Sequence, residues 1–430
     1  MSAHESVYRA ANSSLAGSSL VVPEVQSEPL PIRAVRPAPC TRACPAGINV
    51  KAYVSLVAER RFADALAVVR QRCPLPGICG RVCPHPCELV CERRGVDAPI
   101  AIRLLKRFVA DYETEAPELQ LPRETHREKV AVVGTGPAGL TAAYDLALAG
   151  YRVTAYESEG RPGGMLRHGI TSYRLPREVL DREVETLCKV GIDIRTGCRI
   201  GVDLGLEELL GQGYDAALLA VGAQLGRRLD LEGEDRCDQV IDALAFLRRV
   251  NEGDRTAPGD RVVVIGGGST AVEAARSALR LGARSVDILY RRYREELLAD
   301  PEEIAAAEAE GIAFRFLVTP HRILRDSGRL RALECVRVGL GEPDSSGRRR
   351  PIEIPGSEFL VATDRVLIAV GQEVDLDFLP PEFEPRVASD GLLGADPTTM
   401  MTAWHGVFAA GDAVTGPATV IDAIAQGHQA

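Results

Sequence analysis

Twice in this chain a short β-type run breaks into a glycine turn and then into an alanine-rich helical stretch. That repeat restricts the possible folds more than any other feature. The first copy reads Val130-Ala131-Val132-Val133-Gly134-Thr135-Gly136-Pro137-Ala138-Gly139-Leu140 and runs into a helical stretch over 141–148. The second reads Val262-Val263-Val264-Ile265-Gly266-Gly267-Gly268-Ser269-Thr270-Ala271 and opens a helix over 272–281. In each copy the first glycine permits the tight turn. The second lets the backbone approach a pyrophosphate drawn to the helix N-terminus. The third small residue, Gly139 or Ala271, lets helix and strand pack closely. Further apolar runs at 151–156, 216–221, 285–290 and 365–370 alternate with helical runs. This alternation predicts an α/β chain with parallel sheet.

The two copies differ where their second strands end. After the first copy that strand ends at Glu157, 21 residues past Gly136, where an acid can bind both hydroxyls of an adenosine ribose. After the second it ends in Leu289-Tyr290-Arg291-Arg292. Two guanidiniums suit a 2′-phosphate, which points to NADP(H) rather than NAD. Near the end of the sequence comes Gly406-Val-Phe-Ala-Ala-Gly411-Asp412, followed by Thr419-Val420-Ile-Asp. Here a strand ends in Gly-Asp and a new helix begins. The acid can accept from a polyol, and the helix start can donate to an anionic group.

In this order the elements resemble the flavoproteins with two dinucleotide-binding domains. The resemblance implies two Rossmann-like domains, with an NADP(H) domain inserted in an FAD domain. It implies that the first cradle holds FAD and that Gly411 and Asp412 contact its ribityl and pyrophosphate. Ala220-Val-Gly222-Ala and Ala369-Val-Gly371-Gln match that family's two strand-end linkers. By the same resemblance Gly163, Gly164, Met165 and Leu166, with Tyr173-Arg174-Leu175, line the flavin, and Thr419 and Val420 join the site. The expected division is an FAD domain over 129–250 and 371–430 around an NADP(H) domain over 251–370. His168 stands equally as a surface or a catalytic residue, and no side chain is expected to act as a nucleophile.

Seven of the 11 cysteines fall early in the chain, at Cys40, Cys44, Cys73, Cys79, Cys83, Cys87 and Cys91. Disulfides, zinc and an iron–sulfur cluster all explain such clustering. Disulfides suit small secreted scaffolds, and structural zinc usually wants closely paired cysteine knuckles. Here the spacing is Cys40-x3-Cys44-Pro, Cys79-x3-Cys83-Pro and Cys87-x3-Cys91. Cysteine–proline after a three-residue gap matches the end of the bacterial ferredoxin run, which favours iron–sulfur with zinc as the alternative. Helical spacing marks Val50, Tyr53, Val54 and Val57 as one buried face, and Leu104, Leu105, Phe108, Val109 and Tyr112 as another. Prolines 74, 76, 84 and 86 rule out a continuous helix between them.

Joined to such a flavoprotein, this segment is similar to the small subunit of NADPH-dependent glutamate synthase and to the NADPH-input part of dihydropyrimidine dehydrogenase. The matching stretches include Cys40-Thr-Arg-Ala-Cys44-Pro, Cys79-Gly-Arg-Val-Cys83-Pro, Cys87-Glu-Leu-Val-Cys91, Gly163-Gly-Met-Leu-Arg-His-Gly-Ile and Tyr290-Arg-Arg. The resemblance implies a small all-α iron–sulfur domain over 40–120 behind a flexible tail, 1–39. Two departures stand out. The family's extra cysteine pair is replaced by Arg33-Ala-Val-Arg-Pro-Ala-Pro39, and Lys106 stands where a Glu or Gln ligand is common. One [4Fe-4S] cluster is therefore expected, on Cys44, Cys83 and Cys87 with Cys40 or Cys91 as the fourth ligand. A second, partly non-cysteine cluster stays open. Cys73, Cys79, Cys188 and Cys198 are expected to be packing residues, and His85 a surface side chain.

The resulting expectation is an electron-input oxidoreductase. Hydride passes from NADPH to FAD, and single electrons pass to the cluster and then to a larger oxidoreductase or amidotransferase subunit in a hetero-oligomer. The alternatives are the input or electron-bifurcating subunit of a dihydropyrimidine, formate, hydrogen or aromatic-acid system, or a non-catalytic relay. A net charge of −9 disfavours nucleic acid as a partner. No run of about 18 apolar residues suggests membrane insertion, and the first residues lack a secretory pattern. A cytoplasmic location is expected.

Overall fold

Proline decides where the cysteine-rich segment turns. In the computed structural model, which describes residues 37–112, 125–343, 347–380, 383 and 391–430, the described residues of this part form six α-helices and a 3-10 turn at Glu92–Gly95. The α-helices are α1 (Pro39–Arg42), α2 (Val50–Ala58), α3 (Phe62–Arg70), α4 (Pro76–Val82), α5 (Pro86–Leu89) and α6 (Ile102–Tyr112). Pro39, Pro76 and Pro86 each sit in the first positions of a helix, where the missing N–H would have had no partner anyway. Two of the prolines that forbid one long helix, Pro76 and Pro86, therefore start short ones. Residues 1–36 of the expected tail lie outside the described residues, and Pro39 already opens α1.

The face of α6 differs from the expectation. Leu104, Phe108 and Tyr112 are exposed, while Ile102, Arg103, Lys106, Val109 and Ala110 are buried. The apolar stripe loses the inward position to Arg103 and Lys106, two cations set against the cysteines. Phe108 and Tyr112 instead form an aromatic group with Phe62 on α3.

Two five-stranded parallel sheets follow. The first is built from β1 (Lys129–Val133), β2 (Arg152–Glu157), β3 (Asp193–Thr196), β4 (Ala216–Leu219) and β16 (Val407–Ala409), in the order β16-β4-β1-β2-β3. The second is built from β6 (Val240–Asp242), β7 (Arg261–Ile265), β8 (Ser285–Tyr290), β9 (Ala313–Phe316) and β14 (Arg365–Ile368), in the order β6-β14-β7-β8-β9. Each glycine turn follows the central strand, β1 or β7, and the strand beside it, β4 or β14, reaches it from later in the chain. A two-stranded ribbon of β5 (Leu225–Gly226) and β15 (Gln372–Glu373) joins the two linkers. Strand β6 pairs with β14, so the second sheet begins ahead of the expected boundary at 251.

The helices after α6 are α7 (Pro137–Leu148), α8 (Met165–His168), α9 (Arg177–Cys188), α10 (Leu206–Gly211), α11 (Ala243–Asn251), α12 (Ser269–Arg280), α13 (Pro301–Ala309), α14 (Asp412–Thr415) and α15 (Val420–Gln429). An antiparallel meander was not foreseen. Strands β10 (Val318–Asp326), β11 (Arg329–Pro343), β12 (Arg349–Glu353) and β13 (Phe359–Ala362) fold onto the second sheet. Among the described residues no helix is long and apolar enough to cross a membrane.

Candidate functional site: two nucleotide cradles and a cysteine pocket

At the first glycine turn the three glycines hold three different positions. Gly134 has φ +100°, and a Cβ there would run into the carbonyl oxygen of Ala220 on the adjoining strand end. Gly136 faces open space, with no atom within 4 Å of the point a Cβ would occupy. A Cβ on Gly139 would strike the Gly134 carbonyl, so the helix lies directly against the turn. The middle glycine alone leaves room for a ligand. Glu157, 4% exposed, accepts from the Thr135 hydroxyl, from Ser158 Oγ at 3.2 Å and from the Glu159 amide at 3.0 Å. Thr135, a variable position of the glycine motif, thus fixes the acid across the turn.

The second turn repeats this geometry. Gly266 abuts the Ala369 carbonyl and Gly268 faces open space, while Gly267 packs on the Tyr290 ring. Beyond the second strand the arginines separate. Arg291 is exposed. Arg292 is 5% exposed, donates to the Arg349 carbonyl at 3.1 Å and stands 3.9 Å from the Glu296 carboxylate. Arg348, just ahead of β12 of the meander, also meets the Tyr290 hydroxyl at 3.0 Å. No local spacing could have shown this, since the two residues lie 58 positions apart.

A cavity of about 1360 Å³ joins the two cradles. Of the expected site residues, Gly134, Gly136, Pro137, Ala138, Glu157, Gly164, Met165, Leu166, Arg174, Gly222, Ser269, Thr270, Gly411, Asp412, Thr419 and Val420 line it. Gly139, Gly163, Gly266, Gly267, Gly268, Arg291, Arg292 and Gly371 do not. His168 and Cys198 also line it, so neither is a plain surface or packing residue. His168 is 8% exposed and neither ring nitrogen has a hydrogen-bond partner. Its proton affinity is lowered by burial and by the Arg248 charge. Burial raises the Asp412 carboxyl to about 6. Thr419 caps α15 by accepting from the Asp422 amide, which leaves the start of that helix open to the cavity.

Arg174 reaches the cavity wall with its guanidinium already engaged by Glu273 of α12 and, at 3.2 Å, by Glu303 of α13. Arg276 pairs with Glu303 and, at 2.6 Å, with Glu310. Arg276 and Arg280 lie over the Tyr173 ring, at 4.9 and 4.0 Å. The segment expected along the flavin is therefore clamped to the second nucleotide domain.

The cysteines divide. Cys44, Cys83 and Cys87 converge on a second, small cavity together with His85, Arg103 and Lys106. Cys40 and Cys91 lie half-buried and outside that lining, while Cys73 and Cys79 are fully buried and also outside it. His85, expected at the surface, is turned inward: it adopts φ +44° and its Nδ1 meets the Cys83 carbonyl at 3.3 Å. Burial pushes the Cys83 thiol up to about 11 and Cys87 to about 12. Among the described residues no three metal-binding side chains close on a single point. A cluster instead spreads its ligands over several irons, and three thiols around one pocket suit that.

This helical part is fastened on two sides. Glu183 of α9 accepts from the Gly77 and Ile78 amides at the start of α4, at 2.5 and 2.9 Å. Arg103 donates to the Cys83 carbonyl at 3.2 Å and pairs with Asp300 at 3.2 Å and with Glu302, at the head of α13.

Residues 128–427 match the pyridine nucleotide-disulphide oxidoreductase family, and residues 33–118 match the 4Fe-4S domain II of dihydropyrimidine dehydrogenase. Over 419 residues the chain is 44% identical to the beta subunit of an NADP(+)-dependent formate dehydrogenase from Moorella thermoacetica, covering 91% of this chain and 59% of that one. It thus spans about three fifths of that relative's length. Over 410 residues it is 35% identical to the small chain of an NADPH glutamate synthase from Azospirillum brasilense, covering 91% and 84%. FprA from Mycobacterium tuberculosis, in complex with NADPH, shares the fold at a TM-score of 0.59 and 21% identity, over 70% of this chain and 84% of that one. The resemblance expected from the motifs is borne out, and with it FAD, NADP(H) and a 4Fe-4S cluster as the cofactors. The chain belongs to the pyridine nucleotide-disulphide oxidoreductase family, as an oxidoreductase whose two nucleotide cradles follow a 4Fe-4S domain.

Proposed function

We propose that this chain is the NADPH-oxidising electron-input subunit of a hetero-oligomer. One observation carries the reading: neighbouring residues of the same two segments line the nucleotide cavity and the cysteine pocket. Val82 and Pro84 line the large cavity, and Cys83 between them lines the small one. On α15, Val420 and Ala423 line the large cavity while Ile421 lines the small one. FAD held there would supply the chemistry that links a two-electron hydride donor, NADPH, to a one-electron acceptor, the cluster.

The protein's own part is to bind and orient. Gly136, Glu157, Asp412 and the start of α15 hold FAD by its pyrophosphate, ribose and polyol. Gly268, Ser269, Thr270, Arg291 and Arg292 hold NADPH, with Arg348 adding to the basic ground around its 2′-phosphate. The Arg174–Glu273–Glu303 clamp holds the second domain at one angle across the cavity, which brings two bound nucleotides toward each other. The iron–sulfur domain over 40–120, the split FAD domain and the inserted NADP(H) domain form the working division. The partner is a larger subunit that accepts electrons. The relatives' names offer a formate dehydrogenase and a glutamate synthase as alternatives.

Anaerobic purification with iron, sulfide and flavin quantitation, followed by NADPH titration, tests the reading. About four irons and one flavin per chain are expected, as is flavin bleaching by NADPH with appearance of a reduced-cluster EPR signal. Zinc without sulfide, or a flavin that neither NADPH nor NADH bleaches, removes it.

A further inference from the structure

Lys106 lies on the inward face of α6, 5% exposed, in the lining of the pocket that also contains Cys44, Cys83 and Cys87. Besides the cysteines, the polar side chains lining that pocket with it are Tyr53, His85 and Arg103, and no carboxylate lines it. The Tyr53 hydroxyl is already donated to the Ile102 carbonyl at 3.0 Å. The pocket's other cation, Arg103, has Asp300 and Glu302 to meet its charge. Glu183, the buried carboxylate that enters this domain, is taken by the Gly77 and Ile78 amides. Among the described residues no carboxylate pairs with Lys106.

A cation this deeply buried is costly unless an anion meets it. A neutral thiol does not supply one. Iron-bound thiolates do. The pocket is therefore balanced in charge only when its cysteines hold metal, and the lysine is built in as part of that balance.

We propose that Lys106 supplies a fixed positive charge to the cluster site, offsetting the thiolates of Cys44, Cys83 and Cys87 and favouring the reduced over the oxidised cluster, without itself ligating iron. The inference rests on the cluster reading of the cysteine pocket. Reduction brings one electron and no proton or bond change into a pocket screened from salt. A positive charge there stabilises the more negative state more than the less negative one. Lys106 is a positioning residue in this sense: it acts through the thiolates and touches neither nucleotide cavity.

The test compares the wild-type holoprotein with Lys106→Leu and Lys106→Arg by EPR-monitored redox titration, alongside iron and sulfide analysis. The Leu variant is expected to keep its iron and its EPR line shape while its oxidised-to-reduced equilibrium shifts at least tenfold toward oxidised, about 59 mV for one electron. The Arg variant is expected to shift by no more than about a third of that, because a guanidinium keeps the charge and offers no lone pair. An unchanged equilibrium in the Leu variant overturns the proposal. So does loss of iron, or a three-iron signal, in both variants, which would make Lys106 a ligand. If the Leu variant does not hold a cluster while the Arg variant does, Lys106→Met is titrated against the same tenfold mark. A wild-type protein free of iron and sulfide would instead sink the cluster reading beneath the proposal, and the two failures are thus separable.

Discussion

The two nucleotide cradles are built alike and furnished differently. In both, the first glycine abuts a carbonyl of the neighbouring strand end and the third residue of the motif faces open space. In the first cradle the whole turn lines the cavity and an acid stands braced at the end of the second strand. In the second only Ser269 and Thr270 reach the cavity, and the strand end is surrounded by arginines, one of them brought by the meander. The backbone site for a pyrophosphate thus comes with the fold, twice. What each nucleotide is, and which end of it is enclosed, comes from side chains that later elements deliver.

The largest break in this symmetry should come from a methyl-bearing side chain at the open position. Gly136→Val and Gly268→Val each place a Cβ where the protein has no atom within 4 Å, so both chains should fold. Gly136→Val should purify without FAD, its affinity lowered at least about 100-fold, or roughly 2.8 kcal/mol. Gly268→Val should keep its flavin, respond normally to dithionite and lose bleaching by NADPH. Flavin content and anaerobic stopped-flow absorbance read both. If Gly268→Val loses flavin instead, the two cradles are not separate nucleotide sites.

Much of this was legible in the sequence because glycine turns leave a mark there. Gly134 and Gly266 need positive φ, the apolar runs mark the strands, and the spacing from Gly136 to Glu157 spans the helix and second strand of a β-α-β unit. The cysteine pocket was legible in part: Cys44, Cys83 and Cys87 do come together, whereas Cys40 and Cys91, at similar spacing, do not join the lining. The face of α6 was not legible, because a stripe of Leu104, Phe108 and Tyr112 is the usual sign of burial, and the partners that draw Arg103 inward, Asp300 and Glu302, lie nearly 200 positions away. The meander was hidden by Pro320 and by a register shift beside it, which interrupt the period-2 pattern. The clamp was hidden by distance, since Arg174 and Glu273 lie 99 positions apart.

A smaller effect should separate the two strand ends. Arg291→Ala should cut the preference for NADPH over NADH by about 10-fold or more, the worth of one charge-assisted phosphate contact, measured as the ratio of kcat/KM in dye reduction. Arg292→Ala should add to this and also loosen β12, whose Arg349 carbonyl it holds. The diagnostic variant is therefore the first. An unchanged ratio in Arg291→Ala moves the 2′-phosphate to other groups, with Arg348 the next to replace.

A last contrast concerns a feature the two sheets share. Each outermost strand on the same side, β16 or β6, is followed or ended by an acid that lines the cavity, Asp412 or Asp242, and burial raises both carboxyls. Asp412, at about 6 against 3.8, receives one backbone N–H, from Ala418, and feels Asp422 nearby. Asp242 caps α11, and the amides of Ala243, Leu244 and Ala245 oppose its shift. The folded chain therefore holds a proton on Asp412 that the unfolded chain releases. That stability is complete below about 3.8 and lost as pH rises through about 6, roughly 3 kcal/mol at the upper bound. Asp412→Asn keeps an oxygen for the Ala418 amide and removes the charge. In flavin-free protein it should melt about 3–6 °C above wild type at pH 8 and converge with it toward pH 4. Asp242→Asn should show a weaker pH dependence, because three amides at the start of α11 already favour its carboxylate. Equal pH profiles for the two substitutions would mean that the helix start offers Asp242 no more than a single amide offers Asp412, and the contrast between the sheets would then stop at their second strands.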